Sequence, residues 1–229
     1  MTELRAPEDF AGWNEQMIQR HDPEIFYGHP IAAVRWVESL RVRAILRGLD
    51  LRPWHTLLDV GCGAGSLLER LTCRQRYGVE LSPTMALRAR ARLGEDVRVV
   101  QADAEQLPFP DGMFDRVVAS SLLSHVLHPG KVMAELRRVT KIGGRIVISI
   151  SDEEQIERGM RWVKALGLQR LFGGEKVAEA KSAYHVDYHL HRFSIRRLRD
   201  LVGDSLEEME LTRVPLLYPA HWVAVYGRD

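Results

Sequence analysis

The sequence predicts an α/β fold: a doubly wound, mostly parallel sheet of seven strands with an antiparallel last strand and a small helical cap. Three observations predict it. Between Thr56 and Ile150 short apolar runs alternate with helix-like stretches, which implies parallel strands joined by right-handed crossovers. Those runs are continuously apolar, as expected of strands buried on both faces. After Ser151 the pattern changes to one long amphipathic stretch, and the chain closes on two strand-like runs with Pro215 and Pro219 between them.

The first fifty residues read as helical. Trp13 to Gln19 is a short helix and Ile31 to Leu46 a longer one, with Val34, Val37, Val42, Ile45 and Leu46 apolar. The Pro- and Gly-containing stretch His21 to Pro30 is a loop between them. Thr56 to Val60 is the first buried strand, Gly61 to Gly65 a turn, and Ser66 to Leu71 the start of a helix. Arg76 to Glu80 is the second strand. Ser82 and Pro83 then open a helix as N-cap and first helical residue, and Gly94 stops it. Val97 to Gln101 and Phe114 to Ala119 are the third and fourth strands. Pro129 to Thr140 is a helix ended by Gly143 and Gly144, and Arg145 to Ile150 is the fifth strand. Glu153 to Leu171 is amphipathic, with Ile156, Met160, Val163 and Leu166 on one face. Ser194 to Val202 is a further helix, and Leu206 to Thr212 with Trp222 to Tyr226 form a hairpin at the sheet edge.

Composition sets limits. The chain has 229 residues, 45% hydrophobic and 28% charged, with a formal net charge of +1. That balance gives no electrostatic footprint for a nucleic-acid backbone, and nucleic acid is not expected as a partner. Arginines 88, 90 and 92 recur along one helix and read as a solvated face. Cys62 and Cys73 are too few for a disulfide framework, which points to a reducing cytoplasm. The stretch from Met1 to Phe10 has no apolar core of a signal peptide. No apolar run approaches the roughly 20 residues that cross a bilayer. The chain divides into an N-terminal helical lid (1–50), a ligand-binding core (51–151), a cap or substrate-binding insertion (152–192), and a C-terminal helix with the closing strands (193–229). The oligomeric state is not legible.

Ligands of open parallel sheets bind beyond the carboxyl ends of the strands. Asp59-Val60-Gly61-Cys62-Gly63-Ala64-Gly65 stands at such an end. Glycines there permit tight turns and close approach of a ligand to the backbone. A tight turn with no ligand is the plain alternative. The companions argue for a ligand: Glu80 ends the second strand, where a carboxylate can accept two ribose hydroxyls, Asp103-Ala104 ends the third, and Ser120-Ser121 the fourth.

These residues resemble class I S-adenosylmethionine (SAM)-dependent methyltransferases, in particular the small-molecule branch with the ubiquinone and menaquinone methyltransferases. Leu57 to Gly65 resembles their first motif, Gly78 to Ser82 the second, and Asp103 to Phe109 the third. Leu136-Arg137-Arg138-Val139 followed by Gly143-Gly144-Arg145 is similar to the approach to their fifth strand. The resemblance covers Thr56 to Ile150 and implies a Rossmann-like fold. It further implies that Gly61, Gly63 and Gly65 pack against the methionine part of SAM, beside Asp59, whose carboxylate suits a cationic ligand. Glu80 would hold the ribose and Asp103 the adenine, Leu81 and Ala104 would flank the ring, and Ser120 would offer its carbonyl to the ammonium. S-adenosylhomocysteine would be the product. Ile142 and His128 stand where relatives commonly carry Pro and Asp. A dinucleotide site fits less well, because the position six from Gly61 that needs glycine is Ser66.

Methyl transfer from a sulfonium relies largely on proximity. It needs a general base only where the acceptor loses a proton by the transition state. His125, after the fourth strand, is one candidate catalytic residue and His189 another; ordering of a loop is the plain reading of either. His185, Asp187, His189 and His191 have period two, which in an extended chain sets them on one face. They suit either a divalent ion or a polar wall of the substrate pocket; the resemblance favours the wall, and no metal is assigned. Tyr27 and Tyr188 are the candidate substrate contacts. The reading that results is methyl transfer from SAM to an O, N or C atom of a small molecule. The alternatives are an RNA or protein methyltransferase on the same core, and a non-catalytic regulatory protein that binds SAM or S-adenosylhomocysteine.

Overall fold

The structure, a computed structural model, describes residues 9–20, 22, 24, 32–165, 167, 189–215 and 220–229. Helices α1 (Phe10–Arg20) and α2 (Ala32–Leu49) precede the alternating region. Strands β1 (Thr56–Val60), β2 (Gln75–Glu80), β3 (Val97–Gln101), β4 (Phe114–Ser120) and β5 (Thr140–Ser151) are joined through α3 (Pro83–Leu93) and α4 (Pro129–Val139). Then come α5 (Glu153–Ala165), α6 (Ile195–Val202), β6 (Glu207–Val214) and β7 (His221–Gly227).

The seven strands form one sheet in the order β3-β2-β1-β4-β5-β7-β6. The first five are parallel, and β7 runs antiparallel to both β5 and β6. β1 pairs with β2 on one side and β4 on the other, so the order reverses there and opens a crevice at the carboxyl end of β1.

Strand alternation builds two cores, one on each face. Leu58, Val60, Val117, Ala119, Ile146, Ile148, Ala224 and Tyr226 join α4 and α6 on one face through Val132, Leu136, Leu198 and Val202. Leu57, Val118, Val147, Val223 and Val225 join α2 and α3 on the other through Val42, Ile45, Leu49, Ala86 and Ala89.

Two elements differ from expectation. The residues after the glycine turn form only a single 3-10 turn, Leu68–Arg70, where a helix was expected. Arg76 Nη1 donates to the carbonyls of Leu68 at 3.3 Å and Leu71 at 2.9 Å, which satisfies the turn's end and lets the chain go straight into β2. Gly143 and Gly144 do not end α4. The helix stops at Val139, with Thr140 Oγ1 donating to Leu136 O at 2.6 Å, and β5 begins at once. The glycines form a bulge that shifts the register from Phe114↔Thr140 to Arg116↔Arg145. Gly143 N donates to Arg228 O at 2.7 Å, which ties the bulge to the C-terminus.

Asp115 joins the amino ends of three strands. Its carboxylate accepts from Thr56 N (2.8 Å), Thr56 Oγ1 (2.7 Å) and Lys141 Nζ (2.8 Å). Burial would raise its pKa, but the bonds from Lys141 and Thr56 outweigh burial and hold it at about 2. A folded pKa below the unfolded value gives stability that is present above about pH 4 and lost as pH falls towards 2. Asp115→Asn should therefore cost about 1.5–3 kcal/mol in urea unfolding at pH 7. The gap from the parent should close as the pH is lowered through that window.

Candidate active site

The same alternation that divides the apolar residues also gathers polar ones. Leu57 and Asp59 lie on the α2 face of β1, Val118 and Ser120 on that face of β4, and Val147 and Ser149 on that face of β5. Three polar side chains therefore meet at the carboxyl ends of three adjacent strands. Arg41 of α2 reaches them. It is only 6% exposed, and its Nη1 donates to the hydroxyls of Ser120, of Ser121 at 3.2 Å and of Ser149 at 2.9 Å. Its Nη2 pairs with Glu38 one turn earlier, and this pairing outweighs burial to hold the Glu38 carboxyl below its ordinary pKa.

The glycine turn folds back on β2. Gly61 N and Cys62 N both donate to Val79 O, at 2.8 and 2.9 Å. Gly63 N donates to Glu80 Oε2 and Ser82 N to Glu80 Oε1, each at 2.9 Å. Gly61 has φ +72°, and a Cβ there would lie 2.7 Å from Leu122 Cδ1. At Gly63, φ +54°, a Cβ would meet nothing within 4 Å, so the turn opens onto free space. Gly65 lies behind, packed towards Leu93 of α3.

That space is bordered by two buried carboxylates, Asp59 at 1% exposed and Glu80 at 8%. Burial drives the Asp59 carboxyl up to about 7; Glu80 adds to the rise and Arg41 opposes it. Burial also raises Glu80, against the N–H groups of Ser82, Gly63 and Leu81. Asp59 Oδ1 is buried without a hydrogen-bond partner among the described residues. A cationic donor relieves both the charge and the missing bond. SAM, with its ammonium and sulfonium, fits this donor set, and the lone pairs left on Glu80 suit ribose hydroxyls.

The remaining predicted contacts border the same crevice. Leu81 follows Glu80 directly and is half-buried. Asp103 is also half-buried and forms a turn in which Oδ1 accepts from Glu105 N at 2.9 Å. Ala104 belongs to the core beneath it. This loop is pinned from α4: Arg138 donates to Phe109 O at 2.7 Å and Leu107 O at 3.0 Å, and Glu135 accepts from Leu107 N at 2.6 Å. His128 fixes the loop's Glu105 through its backbone N at 2.7 Å and its Nδ1 at 2.8 Å.

An N-terminal clasp covers the other side. Met17 and Ile18 of α1 pack with Ala64 and Met85, and Glu15 accepts from the hydroxyls of Ser82 and Thr84. Glu24 accepts from Ser66 Oγ at 2.6 Å and from Arg92 at 2.8 Å, while Arg92 also donates to Ala64 O at 2.9 Å. Arg88 pairs with Asp22 at 2.7 Å, and Arg90 donates to Val99 O at 3.2 Å. Arg88 and Arg92 thus tie the N-terminal segment to α3, Arg92 also reaching the glycine turn, and Arg90 ties α3 to β3, while all three side chains remain on the exposed face.

His125 and His189 come together beside the ends of β4 and β5. Their ring centroids are 4.6 Å apart at 77°, and His189 Nδ1 lies 2.6 Å from Glu153 Oε1. The chain bends at Leu190 and His191, which breaks the period-two face. His191 turns its Nε2 to Leu127 O at 3.1 Å. Tyr27, Tyr188, His185 and Asp187 lie outside the described residues.

Sequence reading missed Arg41, Glu15, Glu153 and Arg138. Arg138 stood inside a quoted motif, and strand parity could have paired Ser149 with Ser120. Arg41 and Glu15 carry no local signal, since only the packing of α1 and α2 brings them to the site.

Comparison with known proteins identifies a family for the chain. A family profile described as "Methyltransferase domain" matches residues 58–148. The ubiquinone/menaquinone biosynthesis C-methyltransferase UbiE of Cupriavidus pinatubonensis is 30% identical over 179 residues, covering 71% of this chain and 73% of that protein. The demethylmenaquinone methyltransferase of Thermus thermophilus is 36% identical over 51% of this chain and 54% of its own length. Across the curated relatives named here and others like them, the chain spans 35% to 73% of their length. The N-methyltransferase NodS of Bradyrhizobium japonicum, solved with S-adenosylhomocysteine, has a TM-score of 0.68 at 14% identity, covering 94% of this chain and 98% of that one. The geranyl diphosphate C-methyltransferase of Streptomyces coelicolor has a TM-score of 0.67 at 15% identity, covering 99% and 100%. These two establish the shared Rossmann-like fold. With the UbiE identity, the matched profile and the strand-end residues together, the chain belongs to the class I SAM-dependent methyltransferases that include UbiE.

Proposed function

We propose that the chain transfers a methyl group from SAM to a small-molecule acceptor and releases S-adenosylhomocysteine. The observation that carries this reading is the buried, unpartnered Asp59 Oδ1 beside Glu80 and the open space at Gly63. When bound, SAM supplies a methyl group already activated on a sulfonium. Asp59, Gly61, Gly63 and Gly65 would hold its methionine part and Glu80 its ribose. Leu81, Asp103 and Ala104 would hold the adenine, and Ser120 would take the ammonium on its carbonyl. The chain's own contribution is to orient the reactants and exclude water.

The acceptor would lie at the ends of β4 and β5, with His125 and His189 as catalytic residues and Tyr27 and Tyr188 on the pocket wall. A small acceptor is favoured by the relatives' names, which include ubiquinone/menaquinone and tocopherol methyltransferases. It is also favoured by a net charge of only +1, which offers little to nucleic acid. The clasp of α1, Asp22 and Glu24 supports a lid role for the N-terminal segment, and α5 supports a cap. No helix among the described residues is long and apolar enough to cross a membrane. Its two free cysteines favour a reducing compartment such as the cytoplasm.

Titration calorimetry tests the donor site. Asp59→Ala and Glu80→Ala should each weaken SAM by roughly tenfold or more, the worth of a hydrogen bond to a charged group. Unchanged affinity in both would refute the assignment. The elevated Asp59 pKa adds a pH signature. Protonation as pH falls through about 7 removes the charge that attracts a cation, so affinity should decline on that side, and Asp59→Asn should flatten the curve.

Without ligand the sign reverses. A carboxyl raised in the folded state stabilises at low pH and loses that contribution as pH rises through about 7. Ligand-free Asp59→Asn should therefore melt above the parent at pH 8, with the margin shrinking towards pH 4.

A further inference from the structure

The carboxyl end of β4 makes a corner that the backbone resists. Ser121 follows the strand with φ +56°, in the left-handed region that suits glycine and costs a residue with a Cβ. Among the described residues other than glycine, only Asp50 shares a positive φ. What flanks the corner gives it weight. Ser120, before it, is the residue whose carbonyl is assigned to the ammonium of SAM. Leu122, after it, is turned back onto the glycine turn, where a Cβ on Gly61 would lie 2.7 Å from Leu122 Cδ1. The chain then continues through one 3-10 turn, Leu123–His125.

The corner is held from two directions. On the β5 side, Ser121 N donates to Ser149 O at 2.9 Å and to Ser149 Oγ at 3.2 Å. On the α2 side, Arg41 Nη1 donates to the Ser121 hydroxyl at 3.2 Å, and to the hydroxyls of Ser120 and Ser149. One guanidinium nitrogen thus touches the corner, the residue before it and the strand that backs it. Arg41 Nε and Nη2 go to the two carboxylate oxygens of Glu38, which balances the charge. Desolvation offsets much of the attraction in such a buried pair. A planar fork fixed along one edge by a carboxylate is nevertheless a rigid strut for whatever its other edge meets. Lysine is a point charge on a flexible stem and cannot present both edges at once.

We propose that Arg41 is a positioning residue for the methyl donor: it holds the left-handed corner at Ser121, and through that corner it sets the Ser120 carbonyl and the Leu122 side chain at the edge of the SAM crevice. This rests on the methyltransferase reading above, which places the methionine part of SAM there. The linkage is mechanical, from α2 to Ser121, from Ser121 to Leu122 and from Leu122 to Gly61. Without the bond from Arg41, relief of the strained backbone favours a negative φ at Ser121. That change turns the peptide between Ser120 and Ser121 and lifts Leu122 from Gly61. The plain alternative is a general brace of α2 against the sheet. A brace makes Arg41 equally important whichever residue stands at position 121. A held corner makes Arg41 dispensable for SAM once that residue adopts the left-handed conformation freely.

The test is calorimetric titration of the full chain with SAM. R41K keeps a positive charge on the α2 side of Asp59 and loses the fork, so its effect reads geometry. It should weaken SAM at least about tenfold, the order set by a hydrogen bond to a charged group. S121A and S121G both remove the hydroxyl, but only alanine resists the left-handed conformation. S121A should therefore weaken SAM by about tenfold, the scale of one strained backbone position. S121G should bind within about threefold of the parent, since glycine takes up this φ at no steric cost. In the S121G background R41K should cost less than about threefold, a coupling that independent sites do not show. The contrast between S121A and S121G decides the matter even if R41K does not fold. R41K binding like the parent, S121G as weak as S121A, or R41K as damaging with S121G as without it would each overturn the role of Arg41. A parent that fails to bind SAM overturns the underlying reading instead.

Discussion

A carboxylate buried where it can be neither hydrated nor fully bonded sets the terms for this crevice. Asp59 sits at the point where strand order reverses, with one oxygen unsatisfied and Glu80 close by. Such a site costs the ligand-free fold stability, since burial of an uncompensated charge is expensive. The surrounding structure is arranged to bear that cost. Arg41 lends positive charge from the α2 side, and the Ser120 and Ser149 hydroxyls hold that guanidinium in place. Glu80 is itself satisfied by backbone N–H groups of the glycine turn and of the α3 start. A cation between the carboxylates completes a balance that the fold leaves open.

Support for the site comes from outside it on every side. Arg138 and Glu135 of α4 fix the loop of Asp103. Arg92 of α3 holds the glycine turn by a carbonyl and the N-terminal segment by Glu24. The segment from His189 to His191 hydrogen-bonds the loop after β4. The loops that follow β1, β3 and β4 are thus braced by different elements.

Most of the framework was legible because it obeys local rules. Buried parallel strands are continuous apolar runs, and Ser82 with Pro83 marks a helix start. The positions of the candidate donor residues were legible for the same reason, since Asp59, Glu80 and Ser120 lie in the last residues of their strands and Asp103 just after one. What was not legible depends on tertiary contact. The helix expected after Gly65 was cut to one turn by Arg76, a residue on the next strand. The Gly143-Gly144 pair has the composition of a helix stop, yet it pairs with the C-terminus as a strand bulge. Glu153 looked like one of several acidic residues on an amphipathic helix, and its pairing with His189 and Arg192 depends on a segment distant in sequence.

The shortened turn after Gly65 also bears on which nucleotides the crevice admits. A long helix starting there would aim the summed dipoles of its peptides at the ligand and make a seat for phosphate. The single turn from Leu68 to Arg70 sums few of them, and the two carboxylates in front of it repel anions. ATP and dinucleotides share the adenosine half of SAM, so contacts to ribose and adenine cannot tell them apart. Discrimination falls to the far end of the ligand, where the weak dipole and the acidic lining favour a positive tail over a polyphosphate one.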